Sequence, residues 1–126
     1  MKLIFGGAYQ GKLAYAKERY SIKETDIYRC QADCSILKEE AFVIYGLEKL
    51  ILSQTREGID TIDYLRERKE MLRSSIIICE DNSCGIVPME RELRVYRETC
   101  GRALTMLSLE ADEVIRVFCG IGSRLK

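Results

Sequence analysis

Residues 6–12, Gly6-Gly7-Ala8-Tyr9-Gln10-Gly11-Lys12, follow directly on the apolar stretch Lys2 to Phe5 and match the spacing G-x-x-x-x-G-K. No other feature narrows the fold as much. A short buried strand that turns at once into a glycine loop, with a helix-compatible segment behind it, reads as the opening of a βαβ unit. Glycines permit positive φ and close backbone approach, so consecutive N–H groups can wrap a phosphate. A helix starting at Lys12 aims its positive end at the same place, and the Lys12 ammonium would neutralise terminal phosphate charge. The expected nucleotide-binding set is therefore Gly6, Gly7, Ala8, Tyr9, Gln10, Gly11, Lys12 and Leu13, with Lys12 also a candidate catalytic residue. At the next position the full motif places Ser or Thr, whose hydroxyl ligates Mg²⁺. This chain has Leu13, which offers no oxygen, so magnesium is expected to bind weakly or not at all.

The rest of the chain continues the alternation. Lys12 to Tyr20 reads as a helix with Leu13, Ala16 and Tyr20 on one face. Asp26 to Gln31 is a weak strand candidate, and Ala41-Phe42-Val43-Ile44-Tyr45 a better one, ended by Gly46. Leu47 to Gln54 reads as a helix. Beyond Gly58, the stripe Ile59, Ile62, Leu65 and Leu72 predicts one charged helix to about Arg73. Ser75-Ile76-Ile77-Ile78-Cys79 is the clearest strand, being β-branched and continuous. The polar loop Glu80-Asp81-Asn82-Ser83-Cys84-Gly85 follows. Pro88 falls where a long helix should start, and Leu93, Tyr96, Cys100, Ala103 and Leu107 give that helix its apolar face to about Glu110. Glu113 to Cys119 is a last strand, with Gly120 and Gly122 loosening the tail. Strands alternating with helices predict one α/β domain over residues 1–126, with a mostly parallel sheet flanked by helices. In such sheets ligands sit beyond the carboxyl ends of the strands. The loops at 6–12, 45–47 and 80–87 should gather there.

Composition excludes more than it assigns. The chain has 126 residues, which suits one domain, and its 20 Lys and Arg balance 20 Asp and Glu. A net charge near zero gives no argument for nucleic acid or a membrane surface. There is no run of about 18 apolar residues and no signal-peptide pattern, so a cytoplasmic protein is expected. The six cysteines are then expected to be free and partly buried. Cys30 and Cys34 could form half a zinc site with Cys79 and Cys84, but the spacings are at or beyond the usual range. Histidine is absent, which removes the commonest neutral-pH base. The pair Glu80-Asp81 follows a strand at the ligand edge, where Asp81 could hold a metal or orient a hydroxyl. Arg97 is a weaker candidate for reaching phosphate.

Four further segments carry a resemblance: Gly85-Ile86-Val87-Pro88; Arg94 to Arg102; Ala111-Asp112-Glu113-Val114; and Gly120-Ile121-Gly122-Ser123-Arg124-Leu125-Lys126. Together with the glycine loop, in this order, they resemble the bifunctional adenosylcobinamide kinase / adenosylcobinamide-phosphate guanylyltransferase family, whose loop reads G-G-x-R-S-G-K-S. The resemblance runs to about Tyr20 and resumes from about Leu72 to Lys126; the middle is shorter here than in those enzymes. It implies a P-loop NTPase-like fold, GTP or ATP as nucleotide, a corrinoid (adenosylcobinamide) as substrate, and a homo-oligomer with sites near subunit boundaries. Those enzymes phosphorylate the aminopropanol arm of adenosylcobinamide and then transfer GMP through a guanylylated histidine.

The departures bear on both reactions. The family's loop arginine falls at Tyr9 and its loop serines at Gln10 and Leu13. A family acid falls at Tyr45, with Glu48 one helical turn on. Asp81 keeps a carboxylate at a family glutamate position, and a family asparagine falls at Leu104. A chain without histidine cannot carry GMP by the family's route. The expected function is nucleotide binding with kinase activity weak or lost. The rival expectation is a non-catalytic scaffold that keeps the fold and the oligomer surface, with Tyr9, Leu13 and Tyr45 packing the vacated pocket.

Overall fold

In the computed structural model, which describes residues 1–82 and 85–126, six strands form one sheet in the order β2-β3-β4-β1-β5-β6. The strands are β1 (Lys2–Gly6), β2 (Ile27–Arg29), β3 (Val43–Tyr45), β4 (Ile76–Glu80), β5 (Glu113–Phe118) and β6 (Ile121–Arg124). The first five are mutually parallel and β6 runs antiparallel to β5. The helices are α1 (Lys12–Tyr20), α2 (Leu47–Glu57), α3 (Thr61–Glu67), α4 (Lys69–Leu72) and α5 (Arg91–Glu110). This is the expected α/β architecture with a mostly parallel sheet.

Side-chain alternation along the central strands assigns the helices to two faces. Ile4, Val43, Ile76, Ile78, Ile115 and Val117 form one core cluster with Ala16 of α1. Leu3, Ile44, Ile77, Cys79 and Val114 form the other, with buried residues of α2, α3 and α5. Strands β1 and β4 are buried on both sides, which is why they read as continuous apolar runs rather than alternating ones. The chain leaves β1 over one face, through α1, toward the β2 edge. It leaves β4 over the other face, through α5, toward β5. Adjacent strands whose connections depart on opposite faces open a crevice between their carboxyl ends. The β1–β4 register pairs Gly6 with Glu80 at that crevice.

Three elements differ from the sequence expectation. The charged helix beyond Gly58 is two helices, because Arg68 leaves helical geometry at φ −103°, ψ 14°. Its guanidinium sits 3.5 Å from the Tyr64 ring centroid and donates to the Tyr64 carbonyl at 3.1 Å. The first of these helices starts at Thr61, capped by the Asp60 carboxylate, which accepts the Asp63 N–H at 3.1 Å. The long helix starts at Arg91 rather than at Pro88, with Arg94 donating to the carbonyls of Pro88 and Met89 and so securing the lead-in. The tail is not loose: Cys119 (φ 50°) and Gly120 (φ 76°) make a two-residue hairpin turn that pairs Phe118 with Ile121. Positive φ at both central residues matches the twist of the flanking strands. Gly122 in β6 lies beneath the Tyr15 ring, and a side chain there would collide with it.

Candidate functional site

The glycine loop is fixed by close approach on one side and hydrogen bonds on the other. A Cβ on Gly6 would collide with the backbone carbonyl of Val117 on β5, so only glycine lets β1 enter the loop there. Gly11 closes the loop at φ 85°, with its missing Cβ position 3.4 Å from the Gly120 Cα. Between them, Gln10 clasps the β5–β6 turn twice. Its carbonyl accepts the Gly120 N–H at 2.8 Å, and its side-chain Oε1 accepts the Cys119 N–H at 2.6 Å. The strand after the long helix therefore braces the loop after the first strand.

Helix α1 begins at Lys12, and its N-cap, Gly11, supplies no side-chain cap. The helix's first amide N–H groups and the positive end of its dipole thus face the loop. Lys12 is 8% exposed. Its ammonium donates to the Gly7 carbonyl at 2.6 Å and pairs with no carboxylate among the described residues. Lys12 is thus a mostly buried cationic residue whose ammonium has a backbone carbonyl as its partner, and burial of a charge without a counter-charge costs free energy.

Beside the loop lies a cleft of about 480 Å³ between residues 8–14, Tyr45, Glu48, Lys49 and Glu80. This volume suits a small-molecule site. Glu48, in the first turn of α2, accepts the Glu80 N–H on Oε2 at 2.9 Å and so ties α2 to the end of β4. Gly46 enters that helix at φ 80° and donates its N–H to the Ile78 carbonyl at 3.0 Å. The Glu48 carboxylate also influences the thiols beneath. Burial, and after it this charge, pushes the Cys79 thiol well above its ordinary range and the Cys30 thiol up to about 12.

The expected site residues divide. The loop from Ala8 to Leu13, with Lys12, meets Tyr45 and Glu80 in the cleft. Asp81 does not join them. Its N–H donates to the Gly6 carbonyl at 2.8 Å, and it lines a separate cavity of about 550 Å³ with Phe5, Leu104 and Ser108. The two positions where the family resemblance places a glutamate and an asparagine, Asp81 and Leu104, thus meet in that second cavity. Arg97 lies away from the loop and donates to the Gly85 carbonyl at 3.2 Å. Leu13 packs partly against the core cluster on the α1 face, and Tyr9 lines the cleft while remaining fully exposed. Arg29 stacks on the Tyr45 ring at 5.3 Å from its centroid.

Among the described residues, no group of three or more His, Cys, Asp or Glu side chains converges as a metal site. Cys30, Cys79 and Cys100 are buried in the core, Cys34 is half-buried and Cys119 is exposed; Ser83 and Cys84 lie outside the described residues. No helix among the described residues is long and apolar enough to cross a membrane. No protein-family profile matches the chain, and no curated protein matches it significantly.

Three contributors named from sequence take parts at the site that the sequence reading did not assign them. Glu80 was legible in principle: alternation along β4 puts Glu80 on the same face as Ile78. Glu48 sits in the first turn after Gly46, where a carboxylate is favoured by the helix dipole. The clasp by Gln10 depends on a hairpin far along the chain and had no local signal.

Proposed function

We propose that the chain is a P-loop, cobinamide-kinase-like protein that binds the phosphate chain of a purine nucleoside triphosphate, GTP or ATP, in the loop from Gly6 to Lys12. The single observation that carries this reading is Lys12: a residue only 8% exposed, its ammonium on the Gly7 carbonyl with no carboxylate partner among the described residues, at the uncapped start of α1. The position of the loop at the carboxyl edge of the sheet, at the crevice between β1 and β4, supports it. So does the open cleft beside the loop, which Tyr9 lines while remaining fully exposed.

Catalysis is proposed to be weak or lost. Phosphoryl transfer depends on positioning and charge neutralisation, which Lys12 and the loop amides would supply in part. Leu13 provides no metal-binding oxygen. Each missing contact to the metal or to the developing charge costs about 3–4 kcal/mol, or about 10²–10³ in rate. Within the cleft, Glu80 and Glu48 are better placed than Asp81 to orient an acceptor hydroxyl or a metal-bound water. The family's histidine-borne guanylyl transfer has no residue to carry it.

The test is isothermal titration calorimetry of the full chain with GTP and with ATP, each with and without Mg²⁺, beside a direct assay of adenosylcobinamide phosphorylation. Binding that Mg²⁺ changes little, with little or no phosphorylated product, is the expected result. No heat at millimolar nucleotide refutes the binding reading. Rapid Mg²⁺-dependent turnover refutes the proposed loss of kinase activity.

A further inference from the structure

The cleft beside the loop has two walls. One is the glycine loop with the start of α1. The other is Tyr45, Gly46, Glu48 and Lys49, where β3 passes into α2, and Glu80 at the end of β4 lies between the two. Among the described residues, Lys12 and Lys49 are the only cationic side chains that line it, one from each wall. Lys49 is exposed in the first turn of α2, with its Cδ 3.7 Å from the point where a Cβ on Gly46 would stand. Its stem therefore runs back over the glycine toward the start of the helix, which itself lines the cleft. The ammonium makes no hydrogen bond or ion pair among the described residues. The neighbouring Glu48 does not take it up: one carboxylate oxygen accepts the Glu80 N–H, and the other lies 3.6 Å from the same point over Gly46. Lys12 and Lys49 against Glu48 and Glu80 leave the cleft balanced in charge. Loss of either lysine would make it negative, which a triphosphate would not tolerate without a metal.

We infer that Lys49 is the second phosphate-binding cation of this cleft: it closes on the terminal phosphate of the nucleotide from the wall opposite Lys12 and carries charge that a magnesium ion carries where a hydroxyl follows the loop lysine. This rests on the nucleotide reading above. Leu13 offers a metal no oxygen, so side chains have to meet the charge of the terminal phosphates. Lysine suits that part. Its ammonium is a point charge with three donors on a flexible stem, and it binds phosphate without the fixed geometry that a guanidinium demands. A cation on the far wall meets the terminal phosphate rather than those held in the loop, so Lys49 should distinguish a triphosphate from a diphosphate.

The experiment measures GTP and GDP by calorimetry, each in EDTA and in Mg²⁺, for the full native chain, Lys49→Gln and Lys12→Ala. Glutamine keeps most of the stem and the helix propensity while removing the charge, at an exposed position where the fold should not suffer. In EDTA the native chain should bind GTP more tightly than GDP. Lys49→Gln should weaken GTP roughly five- to fiftyfold, allowing for the water that reaches this lysine, and GDP by no more than about twofold. Lys12→Ala should weaken both nucleotides. Unchanged GTP affinity in Lys49→Gln, with Lys12→Ala impaired, overturns the second cation and leaves the phosphate loop standing. So does an equal loss for GTP and GDP in Lys49→Gln, which would place the lysine away from the terminal phosphate. Native binding of GTP that EDTA abolishes overturns the replacement of the metal. Binding of neither nucleotide by the native chain overturns this inference together with the nucleotide reading.

Discussion

Replacing Gln10 separates the architecture of the loop from its charge. In Gln10→Ala the side-chain acceptor of the Cys119 N–H is lost, while the backbone bond from Gly120 N–H to the Gln10 carbonyl remains. A neutral hydrogen bond contributes about 0.5–1.5 kcal/mol net. Cys119 is exposed, so water can take over its N–H, which places the loss near the lower end. Global stability should therefore fall by less than about 1 kcal/mol. If the clasp preorganises the loop, the same energy appears in binding, and GTP affinity should drop about two- to fivefold. Gln10→Glu keeps an acceptor at the same reach, so stability should hold. It also places a negative charge beside the cradle, which should weaken a polyphosphate more than Gln10→Ala does, and less so at high salt. Urea unfolding gives the stability arm, and calorimetry with GTP at low and high salt gives the binding arm. A Gln10→Glu protein that binds GTP as tightly as the native chain at low salt would show that the phosphates lie elsewhere.

Other outcomes follow from the packing and the titrating groups. Gly6→Ala should destabilise the fold by about 1–3 kcal/mol, because its methyl group must push β5 aside at Val117; urea unfolding measures it. Tyr20, largely through burial and then through its bond to Glu113, has its pKa raised from an ordinary 10.0 to about 12. A raised folded-state value gives stability that is present below pH ~10 and lost as pH climbs toward ~12, so Tyr20→Phe should flatten the alkaline fall of the urea midpoint. Glu113 is shifted the other way, chiefly by the Tyr20 hydroxyl, so its contribution is present above its ordinary range and lost on acidification. Glu113→Gln should flatten the acid limb. In a native-state thiol titration Cys119 should react quickly, whereas Cys30, Cys79 and Cys100 should wait for denaturant, since burial raises their pKa values and denies access.

Much of the fold was readable because its elements are locally self-consistent. Three consecutive isoleucines make a strand buried on both faces, and Cys100, Ala103 and Leu107 of the long-helix stripe are all buried. The glycine loop was readable because its backbone geometry demands its residue types. What escaped were features settled by distant neighbours. A Cys-Gly pair does not advertise a hairpin as Asn-Gly does, and its pairing with Phe118 and Ile121 depends on β5 already lying in the sheet. At the break the Arg68 guanidinium lies over the Tyr64 ring, while the apolar spacing through Leu72 still reads as one helix. At the loop, the position of Lys12 was legible from the motif, whereas which cavity Glu80 and Asp81 each line depends on how the chain leaves β4. Sequence had favoured Asp81 by analogy, and the strand's alternation puts Glu80 in the cleft.

The most direct measurement is the calorimetric affinity of GTP for the native chain and for Lys12→Ala, with circular dichroism to confirm that both are folded. Lys12 supplies the loop's only side-chain cation, so its removal should weaken GTP binding at least tenfold, in line with about 1.5–3 kcal/mol for a hydrogen bond to a charged group. Equal affinity in the two proteins, or no binding by the native chain at millimolar GTP, would contradict a phosphate site in this loop.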